Sequence, residues 1–481
     1  MGAVKDQAED DAVVHAYTLK EVDFLWRGQS MRFALSHGIF SSNDIDPGTR
    51  LLLKAVSLEL DGMASEKRLL PSRILDAGCG CGVIGIALAR ALLAAIGSSG
   101  KKPEALQTIR VRAQDRDELA RAFTIVNARR NGLDNQALEA FAEPLIAGPP
   151  DARYDLILSN LPAKAGQSVL KDFILRSPGL LSPCGQVAVV IVNTLAAEVQ
   201  EWIAQGGAPL RGTEKGEGHT VFIFGCPPGT PGTMFPASPP SAVNPYFRGK
   251  ARYETAGVGY ELESLHGVSD FDQPGTDSVL ASLLFDRLLE RGILRTVAEG
   301  NQNGPEPAAA QKPARILVHE GAHGHFPVRL VAASQAQTSS VGRKPPTPWR
   351  FILTGRNVLA LDIQARNVRA AGEGDRTAEV EDRVEDCVPV ADLELAAERL
   401  LRRFGCLDAI VAFPEIVPRV EWTGGLWNAV RTLLAPGGIL LVSVRSTEAE
   451  RFDRCRPAGF AREGEIKRDG FRALAYRRVS T

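Results

Sequence analysis

The chain has 481 residues, 44% hydrophobic and 23% charged, with a formal net charge of −1. That is a globular composition with room for two or three domains, and it excludes a disordered or fibrous chain and any overall electrostatic pull toward nucleic acid. Residues 1–12 are charged and polar and no apolar run is long enough to span a bilayer, so the expected location is cytoplasmic, with no membrane partner. The seven cysteines are scattered apart from Cys79 and Cys81 and read as reduced thiols. Two cysteines one residue apart without a second pair make a poor zinc site, so no metal is expected.

In chain order, HGIFSSNDIDPGTRLLL (residues 37–53) contains an Asp46-Pro47-Gly48 turn, after which Thr49 reads as a helix N-cap and 50–60 as a helix. Residues 73–90, RILDAGCGCGVIGIALAR, are an apolar strand that runs into Gly78, Gly80 and Gly82 and then into an Ala/Leu/Ile-rich helix. Glycine there removes the Cβ that would keep a ligand off the backbone, and the helix start presents unpaired N–H groups. The next strand, TIRVRAQD, delivers Asp115 at the distance where such folds place a ribose-binding carboxylate. A third apolar strand, YDLILSN, ends in Ser159-Asn160-Leu161-Pro162, at the strand end where doubly wound sheets collect ligands.

A dinucleotide fold needs GxGxxG to hold a pyrophosphate. The spacing Asp76-Ala-Gly78-Cys-Gly80-Cys-Gly82 instead resembles motif I of the class I S-adenosylmethionine-dependent methyltransferases. Asn160-Leu161-Pro162 is similar to the motif with which methyltransferases of planar nitrogens orient the accepting amine. The segments 37–53 and 164–170 resemble the "methyltransferase small domain" family, which includes ribosomal RNA guanine-N2 methyltransferases. The resemblance implies S-adenosylmethionine as cofactor, held by Asp76, Gly78, Gly80, Gly82 and Asp115, with Glu143 near the adenine amine. It implies that Asn160, Leu161 and Pro162 orient the amine, whose delocalised lone pair makes it a poor nucleophile. Two positions depart from the motif: Leu161 replaces its first proline, and Ala163 its stacking aromatic. The expected activity is N-methylation of a guanine exocyclic amine in ribosomal RNA; a protein or small-molecule N-methyltransferase and a non-catalytic scaffold are the alternatives. The sequence leaves the oligomeric state open.

After a Pro/Gly-rich stretch at 226–245 the first half returns in weaker form. His266-Gly267-Val268 echoes His37-Gly38-Ile39, Arg315-Ile316-Leu317 echoes Arg73-Ile74-Leu75, and LDAIVAFP echoes YDLILSNLP. LLAPGGILLVSV echoes LLSPCGQVAVVI, and DGFRALAYRR echoes EGHTVFIF. Aligned on the RIL strand, Asp76 becomes Val318, Gly78 becomes Glu320, Gly80 becomes Ala322 and only Gly82 persists, as Gly324. Asp115 falls near Gly355, and Asn160 at Phe413 or Ala412. The expected layout is a catalytic domain at 1–227, a linker at 228–256 and a degenerate copy at 257–481. The fold class is α/β, two tandem Rossmann-like class I methyltransferase domains, each a mostly parallel sheet with an antiparallel edge and helices on both faces.

His319-Glu320-Gly-Ala-His323 matches HExxH, the zinc-hydrolase pattern. It follows directly on a strand and contains Gly321, with Gly324 and Pro327 beyond, so a turn carrying solvated histidines is expected instead of a zinc helix. Arg129-Arg130, Arg248 to Arg252 and Arg399 to Arg403 are local basic patches for RNA, or plain solvated faces. Residues 299–313, 335–348 and much of 364–386 read as loops.

Overall fold

The computed structural model describes residues 2–40, 42–97, 108–149, 151–225, 244–294, 313–341, 349–371 and 383–479. The chain divides into two units, Met1–Tyr246 and Phe247–Thr481.

In the first unit helix α1 (Gly2–Tyr17) precedes a hairpin of β1 (Lys20–Trp26) and β2 (Gln29–Leu35). Then come α2 (Pro47–Ser65), β3 (Arg73–Ala77), α3 (Val83–Gly97), β4 (Arg110–Asp115), α4 (Glu118–Arg130), β5 (Leu138–Ala142) and β6 (Tyr154–Asn160). The unit closes with α5 (Gln167–Arg176), β7 (Leu181–Val192), α6 (Ala196–Gln205), β8 (Leu210–Lys215) and β9 (His219–Gly225). Seven strands form one sheet in the order β5-β4-β3-β6-β7-β9-β8. Pairing is parallel from β5 through β7 and antiparallel where β9 joins β7 and β8. Strands β3, β6 and β7 carry near-continuous apolar runs because helices cover both faces, whereas β4 alternates Val111 and Ala113 with Arg110, Arg112 and Gln114. Leu75 and Ala77 point from β3 into one such face, with Ile157, Val187, Val189, Ile191, Phe222 and Phe224.

Two buried asparagines one turn apart on α4 and at its end fix the hairpin. The Asn127 amide accepts from the Ala34 N–H and donates to the Ala34 carbonyl (2.9 and 3.1 Å); Asn131 does the same for Arg32 (2.9 Å each). Asn127 also donates to the Cys81 carbonyl at 2.9 Å, so one side chain ties the hairpin to the glycine turn. A side-chain amide mimics a strand edge here, which satisfies backbone groups that burial would otherwise orphan.

The second unit opens with a hairpin of β10 (Phe247–Thr255) and β11 (Val258–Leu265), followed by α7 (Thr276–Glu290), β12 (Ala314–His319), α8 (His325–Val341), β13 (Trp349–Gly355), α9 (Val358–Ala370) and β14 (Val384–Pro389). It ends with α10 (Leu393–Phe404), β15 (Leu407–Ala412), α11 (Thr423–Leu433), β16 (Leu434–Arg445), α12 (Ser446–Arg454), β17 (Phe460–Arg468) and β18 (Phe471–Arg478). Its sheet order, β14-β13-β12-β15-β16-β18-β17, repeats the first one strand for strand. Period two is visible in β12: Ile316 and Val318 enter one core layer and Leu317 the other. The asparagine clamp is repeated as well, with Asn367 pairing with both backbone groups of Glu263 and with the His323 carbonyl (2.9 Å each).

Several sequence expectations shift. The N-cap of α2 is Asp46, not Thr49: Pro47 takes the first helical position, where no N–H is needed, and the Asp46 carboxylate accepts the Thr49 N–H at 3.0 Å. Residues 247–255, placed in the linker by the sequence, form β10, because alternation in a charged strand is hard to see. The stretch 226–243 lies outside the described residues, as do 299–312, 342–348 and 372–382 of the expected loops. Residues 335–341 instead continue α8, and β14 occupies the end of the charged 364–386 stretch. The HExxH segment is a turn between β12 and α8, as expected, but its histidines are not solvated. His323 accepts the Leu265 N–H at 3.0 Å, His325 meets the Tyr260 hydroxyl at 3.1 Å, and His319 meets the Thr354 hydroxyl at 3.1 Å. Burial pushes all three down, His319 and His325 to about 4, so they pack as neutral rings. The basic patches are largely neutralised: Arg129 pairs with Asp11, Arg130 with Glu21, Arg248 with Asp272, Lys250 with Glu261 and Arg403 with Asp386.

Candidate active site

The sheet of the first unit reverses its direction of growth between β3 and β6, and the C-terminal ends of these two strands define the crevice where doubly wound folds bind ligands. The Ser159 hydroxyl locks the two ends together by donating to the Ala77 carbonyl at 2.7 Å. The cofactor and amine-orienting residues that the sequence nominated lie at or just beyond the C-terminal ends of β3, β4, β5 and β6.

After β3 the chain turns with Gly78, Gly80 and Gly82 all at positive φ (74°, 56° and 84°). The three glycines serve different ends. A Cβ on Gly82 would lie 2.9 Å from Ile86 and 3.0 Å from Thr124, so this position is small because helix and turn are packed together. A Cβ on Gly80 would meet nothing within 4 Å. Gly80 therefore leaves bare backbone facing open space, the property a cofactor cradle requires. The Thr124 hydroxyl holds the turn by donating to the Gly80 carbonyl at 3.0 Å.

One carboxylate braces this turn and another the start of the helix after it. Asp115, at the end of β4, accepts the Gly80 N–H through Oδ2 and the Asp117 N–H through Oδ1, both at 3.1 Å. Each oxygen keeps a lone pair for a further donor. Asp76, wholly buried, accepts the Gly85 N–H at 2.8 Å through Oδ2, while its Oδ1 is buried without a partner. Burial raises both carboxyls, Asp76 to about 7 and Asp115 to about 6, with backbone donors opposing. Cys79 and Cys81 are buried in the turn and their thiols are pushed up, Cys81 to about 12, so neither is a thiolate nucleophile. An open glycine backbone, an orphaned carboxylate oxygen and a second carboxylate with spare acceptor capacity fit a ligand that carries an ammonium group and a ribose.

A carboxyl held above its ordinary value is more stable protonated. The two aspartates favour folding fully below pH ~4, and that contribution is lost as pH rises through about 6 and 7. For Asp76 the displacement amounts to about 4 kcal/mol at neutral pH and above. Asp76→Asn retains the acceptor for Gly85 without the buried charge. In ligand-free protein the unfolding midpoint of this variant is expected to rise relative to wild type as pH goes from 5 to 8. A difference independent of pH, followed by calorimetry, would contradict the burial of Asp76 as an ionisable group.

Asn160 closes β6. Its amide nitrogen donates to Asp46 Oδ2 at 2.8 Å and to the Thr49 hydroxyl at 3.1 Å. Leu161 is buried with its N–H on the Val190 carbonyl at 3.0 Å, and Pro162 leads into a short turn, Ala163–Ala165. Glu143 follows β5 with its backbone N–H on the Asp115 carbonyl at 2.7 Å, and its carboxylate is engaged by Arg112 at 2.6 Å. The Asp46 and Thr49 contacts to Asn160 were not visible in the sequence, where 114 and 111 residues separate the partners.

Residues 30–206 match the methyltransferase small domain family model. This segment has the form of a methyltransferase small domain. The methyltransferase domain is 28% identical over 169 residues to YbxB of Bacillus subtilis, an uncharacterized protein, a match covering 35% of this chain and 72% of that one. It is 33% identical over 183 residues to ribosomal RNA small subunit methyltransferase C of Pseudomonas entomophila, 37% of this chain and 47% of the relative. The chain thus spans about half of that curated relative in sequence. Over the fold the likeness reaches further: the T. thermophilus 16S rRNA N2 methyltransferase, solved in complex with AdoMet and guanosine, superposes with a TM-score of 0.55 and 15% identity, covering 97% of this chain and 99% of that chain. At that identity the likeness speaks for the tandem fold alone.

The corresponding turn of the second unit keeps the backbone and changes the side chains. Glu320, Ala322 and Gly324 sit at φ 56°, 47° and 88°, the same left-handed sequence as the three glycines of the methyltransferase domain. Strand register places Val318 opposite Leu353 and Val411, as Asp76 lies opposite Ala113 and Leu158, so Gly355 and Phe413 stand at the positions of Asp115 and Asn160. The Glu320 carboxylate accepts the Arg356 N–H at 2.8 Å and lies about 3 Å from where a Gly355 Cβ would be. An internal carboxylate thus fills the place that Asp115 occupies in the first unit, and the buried Phe413 ring replaces the amide of Asn160.

Proposed function

We propose that the protein transfers a methyl group from S-adenosylmethionine to the exocyclic N2 amine of a guanine in ribosomal RNA, using the first unit alone. The observation that carries this reading is the meeting, at the β3/β6 crevice, of an open glycine turn braced by Asp115 with the Asn160-Leu161-Pro162 turn. In this reading Gly78 and Gly80 admit the methionine end, Gly82 closes the turn on its helix, Asp76 supports it and Asp115 accepts the ribose hydroxyls. Glu143 marks the adenine end through its place after β5, its carboxylate being taken by Arg112. When bound, S-adenosylmethionine supplies an electrophilic sulfonium methyl, whose C–S bond breaks toward sulfur as the N–C bond forms and the nitrogen gives up one proton to water. Asn160 Oδ1 and the Leu161 carbonyl accept the amine's N–H groups, which aims its lone pair and stabilises the positive charge that develops on nitrogen. Reaching a paired guanine requires the base to leave its stack.

The second unit, which begins at Phe247, is read as a domain kept for shape, with Glu320 and Phe413 where ligand contacts would be. Titration with S-adenosylmethionine is expected to give one site per chain, and two would overturn this assignment. A cytoplasmic location accompanies an RNA substrate; among the described residues no helix is long and apolar enough to cross a membrane. The deciding experiment is transfer of labelled methyl to small ribosomal subunits, with the product nucleoside identified. Affinity for RNA that falls steeply with salt supports the reading. Ala163 in place of an aromatic and the internal pairing of the basic patches favour a second reading, a protein N-methyltransferase. Label on ribosomal protein instead of RNA would select it.

A further inference from the structure

We propose that Asp46, together with Thr49, is the positioning residue that sets Asn160 for catalysis and restricts the acceptor to an N–H donor. The inference rests on the reading of Asn160 as the amine-orienting residue.

A side-chain amide has two faces of opposite character, and an asparagine free to rotate about its last bond offers an incoming amine either an acceptor or a repelling N–H₂ group. In this site the choice is fixed from behind. The Asn160 nitrogen donates to Asp46 Oδ2 at 2.8 Å and to the Thr49 hydroxyl at 3.1 Å, which uses both of its hydrogens. The flipped amide would set its carbonyl oxygen against a carboxylate, acceptor against acceptor. Oδ1 is therefore the atom presented to the crevice, and it matches an amine and mismatches a carbonyl oxygen.

Asp46 is itself rigidly held. The same Oδ2 accepts the Thr49 N–H at 3.0 Å as the N-cap of α2, and Pro47 at the first helical position fixes the entry of the chain. Gly48 makes the approach possible: a Cβ there would stand 2.8 Å from Asp46 Oδ2 and 3.0 Å from the His219 ring. One oxygen thus anchors a helix start and a reactive amide, so the segment 46–49 connects the fold directly to the methyl acceptor. The negative charge behind the Asn160 nitrogen also polarises the amide, which strengthens Oδ1 as an acceptor when positive charge grows on the substrate nitrogen.

Three variants separate positioning from simple helix capping. Ser is a good N-cap but too short to reach Asn160, so Asp46→Ser retains α2 and loses the brace. Asp46→Asn retains a neutral acceptor at the same distance. Thr49→Val removes the second acceptor alone. The measurements on the full chain are S-adenosylmethionine affinity, methyl transfer to small ribosomal subunits, and the side-chain amide resonances of Asn160 in ¹⁵N-asparagine-labelled protein. Asp46→Ser is expected to bind S-adenosylmethionine as wild type does and to lose about 100-fold in kcat, the order for misplacing a reacting group. Its Asn160 amide protons are expected to lose their hydrogen-bonded shift, Asp46→Asn to recover most of the turnover, and Thr49→Val to fall between the two. An Asp46→Ser enzyme with wild-type kcat, or unchanged Asn160 resonances, overturns the proposal. If the wild type modifies neither RNA nor ribosomal protein while the resonances respond as described, the functional reading of Asn160 fails and the orienting contact stands.

Discussion

Replacing Asp115 with alanine is expected to weaken S-adenosylmethionine binding by at least about 100-fold, since two hydrogen bonds to a carboxylate are each worth about 1.5–3 kcal/mol. The geometry adds a second loss. Asp115 supports the glycine turn through Gly80 and the start of α4 through Asp117, so its removal frees the cradle as well as the acceptors. Asp115→Asn separates the two contributions, because an amide oxygen still accepts one backbone N–H but presents N–H₂ where a hydroxyl must donate. Calorimetric titration gives the answer. Wild-type affinity in the alanine variant would remove Asp115 from the cofactor site. Because burial raises this carboxyl to about 6, wild-type affinity is also expected to fall below pH 6, as the protonated form loses acceptor strength.

Asn160→Ala is expected to have the opposite signature. Cofactor affinity stays, because Asn160 is held by Asp46 and Thr49 and not by the glycine turn, while kcat drops about 100- to 1000-fold through loss of an acceptor at the developing charge. Asn160→Asp serves as a control with a distinct cause: it faces the Asp46 carboxylate with a second one and loses its orientation by repulsion. Equal losses of binding and turnover in Asn160→Ala would merge the two roles proposed for the ends of separate strands.

Much of the first unit was legible because its signals are local. The glycine turn and Asn160 each sit at the end of an apolar run and Asp115 at the end of an alternating one, and a strand that ends in a glycine turn or a polar side chain leaves a sharp boundary in the pattern. The same holds for the order of elements, since β3, β4 and β5 are separated by α3, which is nearly all apolar, and α4. The second unit was legible through its echoes of the first. What escaped reading depends on long-range pairing. Asp46 looks like a turn residue until it is seen beside Asn160, and Thr49 looks like a cap until Pro47 and Asp46 take that place. Asn127 and Asn131 look like ordinary helix residues until the hairpin edge lies against them. The histidines of the HExxH segment read as solvated because a turn containing Gly321 and Gly324 ordinarily runs over the surface, whereas Tyr260, Leu265 and Thr354 enclose them in space. The strand β10 escaped because charged alternation resembles a linker.

The turn after β12 carries a further consequence. Glu320 and Ala322 hold left-handed torsions that glycine adopts freely and other residues adopt at a cost of order 1 kcal/mol each. The surrounding sheet and helices enforce that shape even where the residues suited to it have gone. Torsion angles therefore preserve a record of descent after residue identity has been erased. Distant members of such duplicated chains should be sought by comparing runs of positive φ after the first strand, which outlast the glycines that first required them.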